Sequence, residues 1–259
     1  VLDIRRRFSI GIPVASFLAF LAAAIISPSY YRSHVRKHEV GWQEQGTVIC
    51  LAPAVIVGIV MLYRRPFSSR WLTAWVALLT LGALYFGGEE CSWGQNYVGW
   101  STPERWSVIN DQHETNLHNT AGVFDHLPRA LLTAAAACCV IIPFAVGQRA
   151  ERWRNDGRPI GWILPTSAVV PSAILSLLVG VPQKFHGLYD KTPNATDWFS
   201  EMFFAGRHSE MKEYFLAMFI LMYMWSMASR LGRVAHESVR TGSSAQPDSV
   251  PASIQRPAA

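Results

Sequence analysis

Six apolar windows, at about residues 8–27, 47–63, 71–88, 128–147, 161–181 and 212–229, are separated by connections that alternate between short, Arg-rich segments and longer polar ones. Each window approaches the roughly 20 apolar residues that one helical crossing of a bilayer needs. Backbone amides inside hydrocarbon must find partners within their own segment, so windows of this length are expected to be helices. The fold class that follows is all-α, a polytopic transmembrane helical bundle of about six spans. Only 16% of the 259 residues are charged while half are apolar, a balance unlike that of a soluble chain of this size. Residues 1–237 read as one membrane domain. Residues 238–259, rich in Ser, Pro, Ala and Gln, have too little apolar content to pack and are expected to form a disordered tail.

The basic residues set an expected orientation. Arg5, Arg6 and Arg7 precede the first window, Arg64, Arg65 and Arg70 fill the second connection, Arg149, Arg152, Arg154 and Arg158 the fourth, and Arg230, Arg233 and Arg240 follow the last window. Short Arg-rich segments stay in the cytoplasm, which puts both termini there and predicts a multi-pass protein of the bacterial inner membrane. The net charge of +5 is thereby a topology signal, and no nucleic-acid partner is expected. Arg5-Arg6-Arg7-Phe8 ahead of an apolar stretch also has the form of a twin-arginine signal, but the stretch is long for one and is expected to be a retained anchor. Prolines inside the windows, above all Pro165 and Pro171, predict a kinked fifth span.

The carboxylates and histidines gather in the other three connections, about 28–46, 89–127 and 182–211, expected on the outer side. The third window runs directly into Gly88-Glu89-Glu90-Cys91-Ser92-Trp93-Gly94-Gln95. Two carboxylates against an apolar run are costly unless they face a cavity, a cation or a partner, and adjacent residues on a helix point about 100° apart. Glu90 is therefore the stronger candidate and Glu89 the weaker, with Trp93 able to serve as an interface anchor. Thr102-Pro103 predicts a short interfacial helix over about 103–109. Beyond it, residues 110–119 hold two His, two carboxylates and three Asn. His113 and His118 are spaced too far for the two-ligand face of a zinc-protease helix, whereas Glu114 and His118, four apart, share a face. Glu213 enters the last window from the same side as Glu90, so a cavity holding Glu90, Glu114, His118 and Glu213 is expected. Asp197 and Glu201, among Trp198, Phe199, Phe203 and Phe204, predict the wet side of an amphipathic helix. Met211, Met218, Met222, Met224 and Met227 read as packing, and Cys50, Cys91, Cys138 and Cys139 show neither a zinc nor a disulfide pattern.

In Gly88-Glu89-Glu90-Cys91-Ser92-Trp93-Gly94-Gln95 and Glu114-Thr115-Asn116-Leu117-His118-Asn119 the chain resembles a group of uncharacterised bacterial multi-pass membrane proteins that carry a GEE-x-SWGQ stretch followed by an ETNLHN stretch. The resemblance covers about 35 residues and implies a membrane fold without naming an activity. More loosely, the chain is similar to membrane hydrolases of the alkaline ceramidase and adiponectin-receptor type, which hold zinc with histidines inside a helical bundle. Those proteins have seven spans and an HxxxH pair in the last; the last window here contains no His.

Three functions are compatible with these residues. The leading expectation is an outward-facing, metal-assisted hydrolase or transferase acting on a lipid or lipid-linked substrate. His113, His118 and Glu90 would bind a divalent metal such as zinc, which makes a nucleophile of bound water. Glu89, Glu90, Glu114 and Glu213 would supply acid–base chemistry, and Gln95, Asn116, Asn119 and Trp93 would hold substrate. A transporter or proton pathway would use the same carboxylates as a relay. A non-catalytic assembly partner would use the aromatic outer loops.

Overall fold

The computed structural model describes residues 6–37, 41–64, 69–110, 114–117, 120–184, 198–203 and 208–243. Among them six helices are long and apolar enough to cross a membrane: Arg7–Ile26, Trp42–Arg64, Arg70–Glu90, Gly122–Asn155, Pro159–Leu178 and Ser209–Gly232. The protein is an all-α polytopic bundle, and no strand occurs among the described residues. The observed spans lie on the six apolar windows. They extend past them where polar residues continue the helix, as Trp42–Gly46 does for the second span.

The sixth span is the axis of the bundle: 72% of its apolar window is buried, against 11% for the fourth span. Met211, Met218, Met222, Met224 and Met227 are all buried on it, their unbranched side chains filling the gaps between neighbours. It packs on the second and fifth spans, and the second span packs on the third. Small residues permit this closeness. A Cβ at Gly58 of the second span would collide with the Thr80 hydroxyl of the third and the Met224 methyl of the sixth.

The fifth span breaks where Pro165 forbids continuation, into Pro159–Ile163, a short 3-10 turn at Ser167–Val169 and a helix at Val170–Leu178. The carbonyls freed by the break find donors on the sixth span. Arg230, itself buried, donates from Nη2 to the Trp162 carbonyl at 3.2 Å and from Nη1 to the Leu164 carbonyl at 3.4 Å. Tyr223 donates its hydroxyl to the Ile163 carbonyl, and Thr166 and Ser226 share a hydrogen bond of 3.0 Å. The expected kink is thus a stapled interruption, with the side chains of one helix replacing the missing backbone bonds of another.

The short helix Trp198–Phe203 buries Met202 and Phe203 in one cluster with Phe20, Tyr31 and Phe215 of the first and sixth spans and the segment between the first two; the Glu201 side chain lies outside the described part. Asp197 lies outside the described residues. The last helix runs to Ser243, into the segment expected to be disordered; residues 244–259 lie outside the described part. The four cysteines are free thiols.

Candidate functional site

Glu89 and Glu90, adjacent at the end of the third span, belong to two different polar groupings. The first is a clasp that folds the loop after the span back on itself. Ser92, Trp93 and Gly94 have successive φ of 47°, 57° and 103°, a left-handed turn that costs non-glycine residues energy and is held by its surroundings. Trp93 donates its indole N–H to Glu89 Oε1 at 2.7 Å, and the ring lies over Gly88, where a Cβ would come within 2.8 Å of it. The second Glu89 oxygen accepts the Leu117 amide at 2.6 Å.

Ser92 then ties this turn to the distant stretch. Its hydroxyl donates to Glu114 Oε2 at 2.9 Å, and Asn116 Nδ2 donates both to Glu114 Oε2 and to Ser92 Oγ. Asn110 closes the group, with Nδ2 on the Asn116 side-chain oxygen at 2.8 Å and Oδ1 accepting the Glu114 amide at 3.1 Å. Gln95 works as a bracket: Oε1 accepts from the Thr115 amide and hydroxyl, while Nε2 donates to Thr102 Oγ1 and the Trp100 carbonyl. Glu89, Ser92, Asn110, Glu114 and Asn116 are buried. The short helix Glu104–Ser107 sits between the two halves of the clasp, inside the predicted range. Cys91, the one thiol outside the spans, donates weakly to the Gly88 carbonyl, and burial pushes its thiol up from the ordinary value.

The second grouping lies at the same end of the bundle. Glu90 shares its electrostatic environment with Glu213, Glu44 and Glu210, and with the guanidinium of Arg129. Arg129, on the fourth span, forms an ion pair with Glu213 at 2.5 Å. Glu44, Glu210 and Glu213 are each less than a tenth exposed. Among the described residues, Glu44, Glu90, Glu210 and Glu213 of the second, third and sixth spans thus share one end of the bundle with Arg129 of the fourth. Carboxylates placed at a membrane boundary are costly unless they face a proton, a cation or a partner.

Below the polar end, an apolar groove of about 380 Å³ runs between the third and fourth spans with Ile220 of the sixth at its back. Trp75, Leu79, Phe86, Leu132 and Ala135 contribute to its walls, and Glu89, Glu90 and Arg129 close its polar end. The sparse burial of the fourth span explains the gap. Its helix touches the fifth span closely but the sixth only lightly, which leaves the flank toward the third span open.

The sequence expectations divide accordingly. Glu90 and Glu213 feel each other's charge at the same end of the bundle, whereas Glu114 joins Glu89, Gln95, Asn116 and Trp93 in the clasp. His113, His118 and Asn119 lie outside the described residues. Among the described residues no three His, Cys, Asp or Glu side chains are disposed to hold a metal ion. Glu44 and Arg129 carry no motif that marks them in the sequence, although an Arg just inside an apolar window is a signal of its own. No family model, curated protein or solved structure matches the chain.

Proposed function

We propose that the protein is an outward-facing enzyme of the bacterial inner membrane, with both termini cytoplasmic, that hydrolyses or transfers a group from a lipid or lipid-linked substrate. The observation that carries this reading is that Glu90 and Arg129 belong at once to the buried acidic cluster and to the polar end of an apolar groove. A substrate whose chain lies in the groove delivers its ester or phosphoryl group to those two side chains.

The chemistry suits acyl or phosphoryl transfer. A carboxylate of the cluster, Glu90 by its place at the groove, takes the proton of an attacking water or acceptor hydroxyl as the new bond to carbon or phosphorus forms. A neighbouring carboxyl in its acid form returns a proton to the departing oxygen. A crowded set of carboxylates favours this division of labour, because like charges in one site are not all ionised together. Arg129 stabilises the oxyanion that develops between these steps. A divalent ion such as zinc, with Glu90, His113 and His118 as its ligands, would supply a more acidic water at the same place.

Glu90→Gln keeps the shape of the side chain and removes its proton chemistry, and Arg129→Lys keeps the charge and loses the planar fork. Each is expressed in a strain lacking the native protein, the lipid composition is compared with wild type, and bound metal is measured on the purified wild type. The expected result is loss of the lipid change in Glu90→Gln at normal protein level. A folded Glu90→Gln protein that leaves the wild-type lipid composition intact would end the enzymatic reading.

A further inference from the structure

We infer that the groove between the third and fourth spans is a slot for one acyl chain of an outer-leaflet lipid, with the indole of Trp75 as a floor that gauges chain length. The inference rests on the reading of Glu90 and Arg129 as the substrate's polar contact and deepens it by naming the substrate class.

Depth is the first argument. Leu79 lies eleven positions before Glu90 on the third span, about 16 Å at 1.5 Å per residue. Ala135 lies six positions beyond Arg129 on the fourth, about 9 Å, and Ile220 seven beyond Glu213 on the sixth, about 10 Å. Measured from the polar end, the fourth- and sixth-span walls therefore stop above the middle of a hydrocarbon core about 30 Å thick, whereas the third-span wall continues to Trp75, fifteen positions before Glu90 and about 22 Å down. The slot is thus walled on three sides only through the outer half of the core, which suits a chain that enters from that leaflet and brings its tip to Trp75.

The second argument is the distribution of polarity. Glu89, Glu90 and Arg129 stand at one end, and the rest of the lining is apolar apart from the Trp75 and Tyr85 ring tips. Leu78 and Leu131, on the two lips, are 61% and 63% exposed, so the slot opens sideways toward the bilayer. A lipid can therefore enter laterally without leaving the membrane.

The third argument concerns the floor. Trp75 donates its indole N–H to the Tyr223 hydroxyl at 3.0 Å, and Tyr223 donates onward to the Ile163 carbonyl at the break in the fifth span. The ring is thereby fixed by a relay of hydrogen bonds to two other spans. Leu, Ile or Val at the same place could swing aside for a longer chain; an indole tied at its nitrogen does not. Gly82, on the wall above, offers the complementary handle, since a Cβ there meets nothing within 4 Å and points into the open slot.

The test uses the full-length protein in nanodiscs of palmitoyl-oleoyl phosphatidylcholine, exposed to lauroyl, palmitoyl or behenoyl lysophosphatidylcholine carrying a diazirine at the chain end. After irradiation the labelled residues are mapped by mass spectrometry. In wild type the palmitoyl probe is expected to mark Trp75, Leu78 and Leu79 more densely than the lipid-facing Ile56 and Ile59. Gly82→Leu fills the slot from the side and lowers the ratio of palmitoyl to lauroyl labelling by about threefold or more, the scale of a few lost packing contacts. Trp75→Ala shifts the preference the other way, toward behenoyl. If Trp75→Ala does not fold, Gly82→Leu alone carries the test, because replacing a helix glycine with leucine does not weaken the helix. Labelling at Trp75 and Leu79 no denser than at Ile56 and Ile59, or a chain-length ratio unchanged in Gly82→Leu, overturns the inference. The readout needs no turnover: an inert Glu90→Gln exchange removes the enzymatic reading and leaves the slot, whereas lost selectivity at Gly82 removes the slot and leaves the enzyme.

Discussion

Ser92 Oγ donates to Glu114 Oε2 at 2.9 Å across 22 positions of sequence, and both groups are buried. The bond joins the left-handed turn after the third span to the stretch that Asn110 and Asn116 organise, so the two motifs are halves of one structure. Ser92→Ala is expected to cost about 1 kcal/mol, the net worth of one such bond. Glu114→Ala strands the Ser92 and Asn116 donors together and is expected to cost about 2–3 kcal/mol. Because both changes act on one network, the double variant should cost less than their sum. Denaturant unfolding of the four proteins in detergent checks it; strict additivity would mean that the clasp is not a unit.

A second expectation concerns the ring that closes the clasp. At Gly88 an added Cβ would come 2.8 Å from the Trp93 indole, and the ring is held by its bond to Glu89. Gly88→Ala is therefore expected to displace Trp93 and destabilise the protein by about 1–3 kcal/mol, the usual cost of overpacking. Trp93→Phe keeps most of the ring and loses one hydrogen bond, a smaller loss of about 1 kcal/mol. Thermal unfolding should rank Gly88→Ala below Trp93→Phe, and equal stability of Gly88→Ala and wild type would show that the ring has room to move.

What was legible in the sequence follows from the range of the forces involved. The six spans are written locally, because hydrocarbon imposes a run of apolar residues on each crossing and Arg marks alternate ends. The break at Pro165 was equally local; the Arg230 and Tyr223 donors that staple it were not, since they lie on another span. Glu90 could be separated from Glu89 by helix geometry alone. Glu114 could not be separated from Glu90's cluster, because loop residues 91–110 have no periodicity to fix where the chain returns. Glu44 looks in sequence like part of a polar connection, and only the continuation of the second span back to Trp42 brings it within electrostatic reach of Glu90.

The Arg129–Glu213 pair predicts a specific asymmetry. Removing one partner of a largely buried pair leaves the other charge in low dielectric, and typical losses are about 3–5 kcal/mol. Arg129 is 29% exposed along its side chain, which lowers the expectation for Arg129→Gln to about 2–3 kcal/mol. Adding Glu213→Gln should restore at least half of that loss, since two neutral amides can hydrogen-bond each other and leave no charge uncompensated. Unfolding of the single and double variants reads the coupling. A double variant as unstable as the two singles combined would show that the ion pair is not what holds the fourth span at this end.

The Cys91 thiol gives a pH signature of the clasp. Burial raises its pKa, so at any given pH the folded protein carries less thiolate than an ordinary cysteine. Alkylation of Cys91 by a maleimide is expected to be slow near about pH 7, to rise only above the usual thiol range, and to quicken when Ser92→Ala loosens the turn. The other thiols serve as the internal comparison, with Cys138 exposed on the apolar fourth span. Rates mapped by mass spectrometry between about pH 7 and pH 10 decide it; a Cys91 profile matching that of a free cysteine would mean that water reaches the turn.

At the opposite end of the bundle, Arg230 bonds three carbonyls: Trp162, Leu164 and Ser226 of its own helix. It is the donor set of the guanidinium, more than its charge, that the break in the fifth span requires. Lysine can reach one of those oxygens but cannot span the separation between them, because its ammonium is a compact donor and not a planar fork. Arg230→Lys is therefore expected to lose most of what Arg230→Gln loses, about 2 kcal/mol, although it preserves the charge. A charge-driven role would give the reverse order, with Lys near wild type and Gln far below it. Hydrogen exchange at the amides of Ser167–Val170 adds a local readout, since a released break should open there first. Because Tyr223 bridges this break to Trp75, the same loosening should reach the floor of the groove and weaken its discrimination between chain lengths.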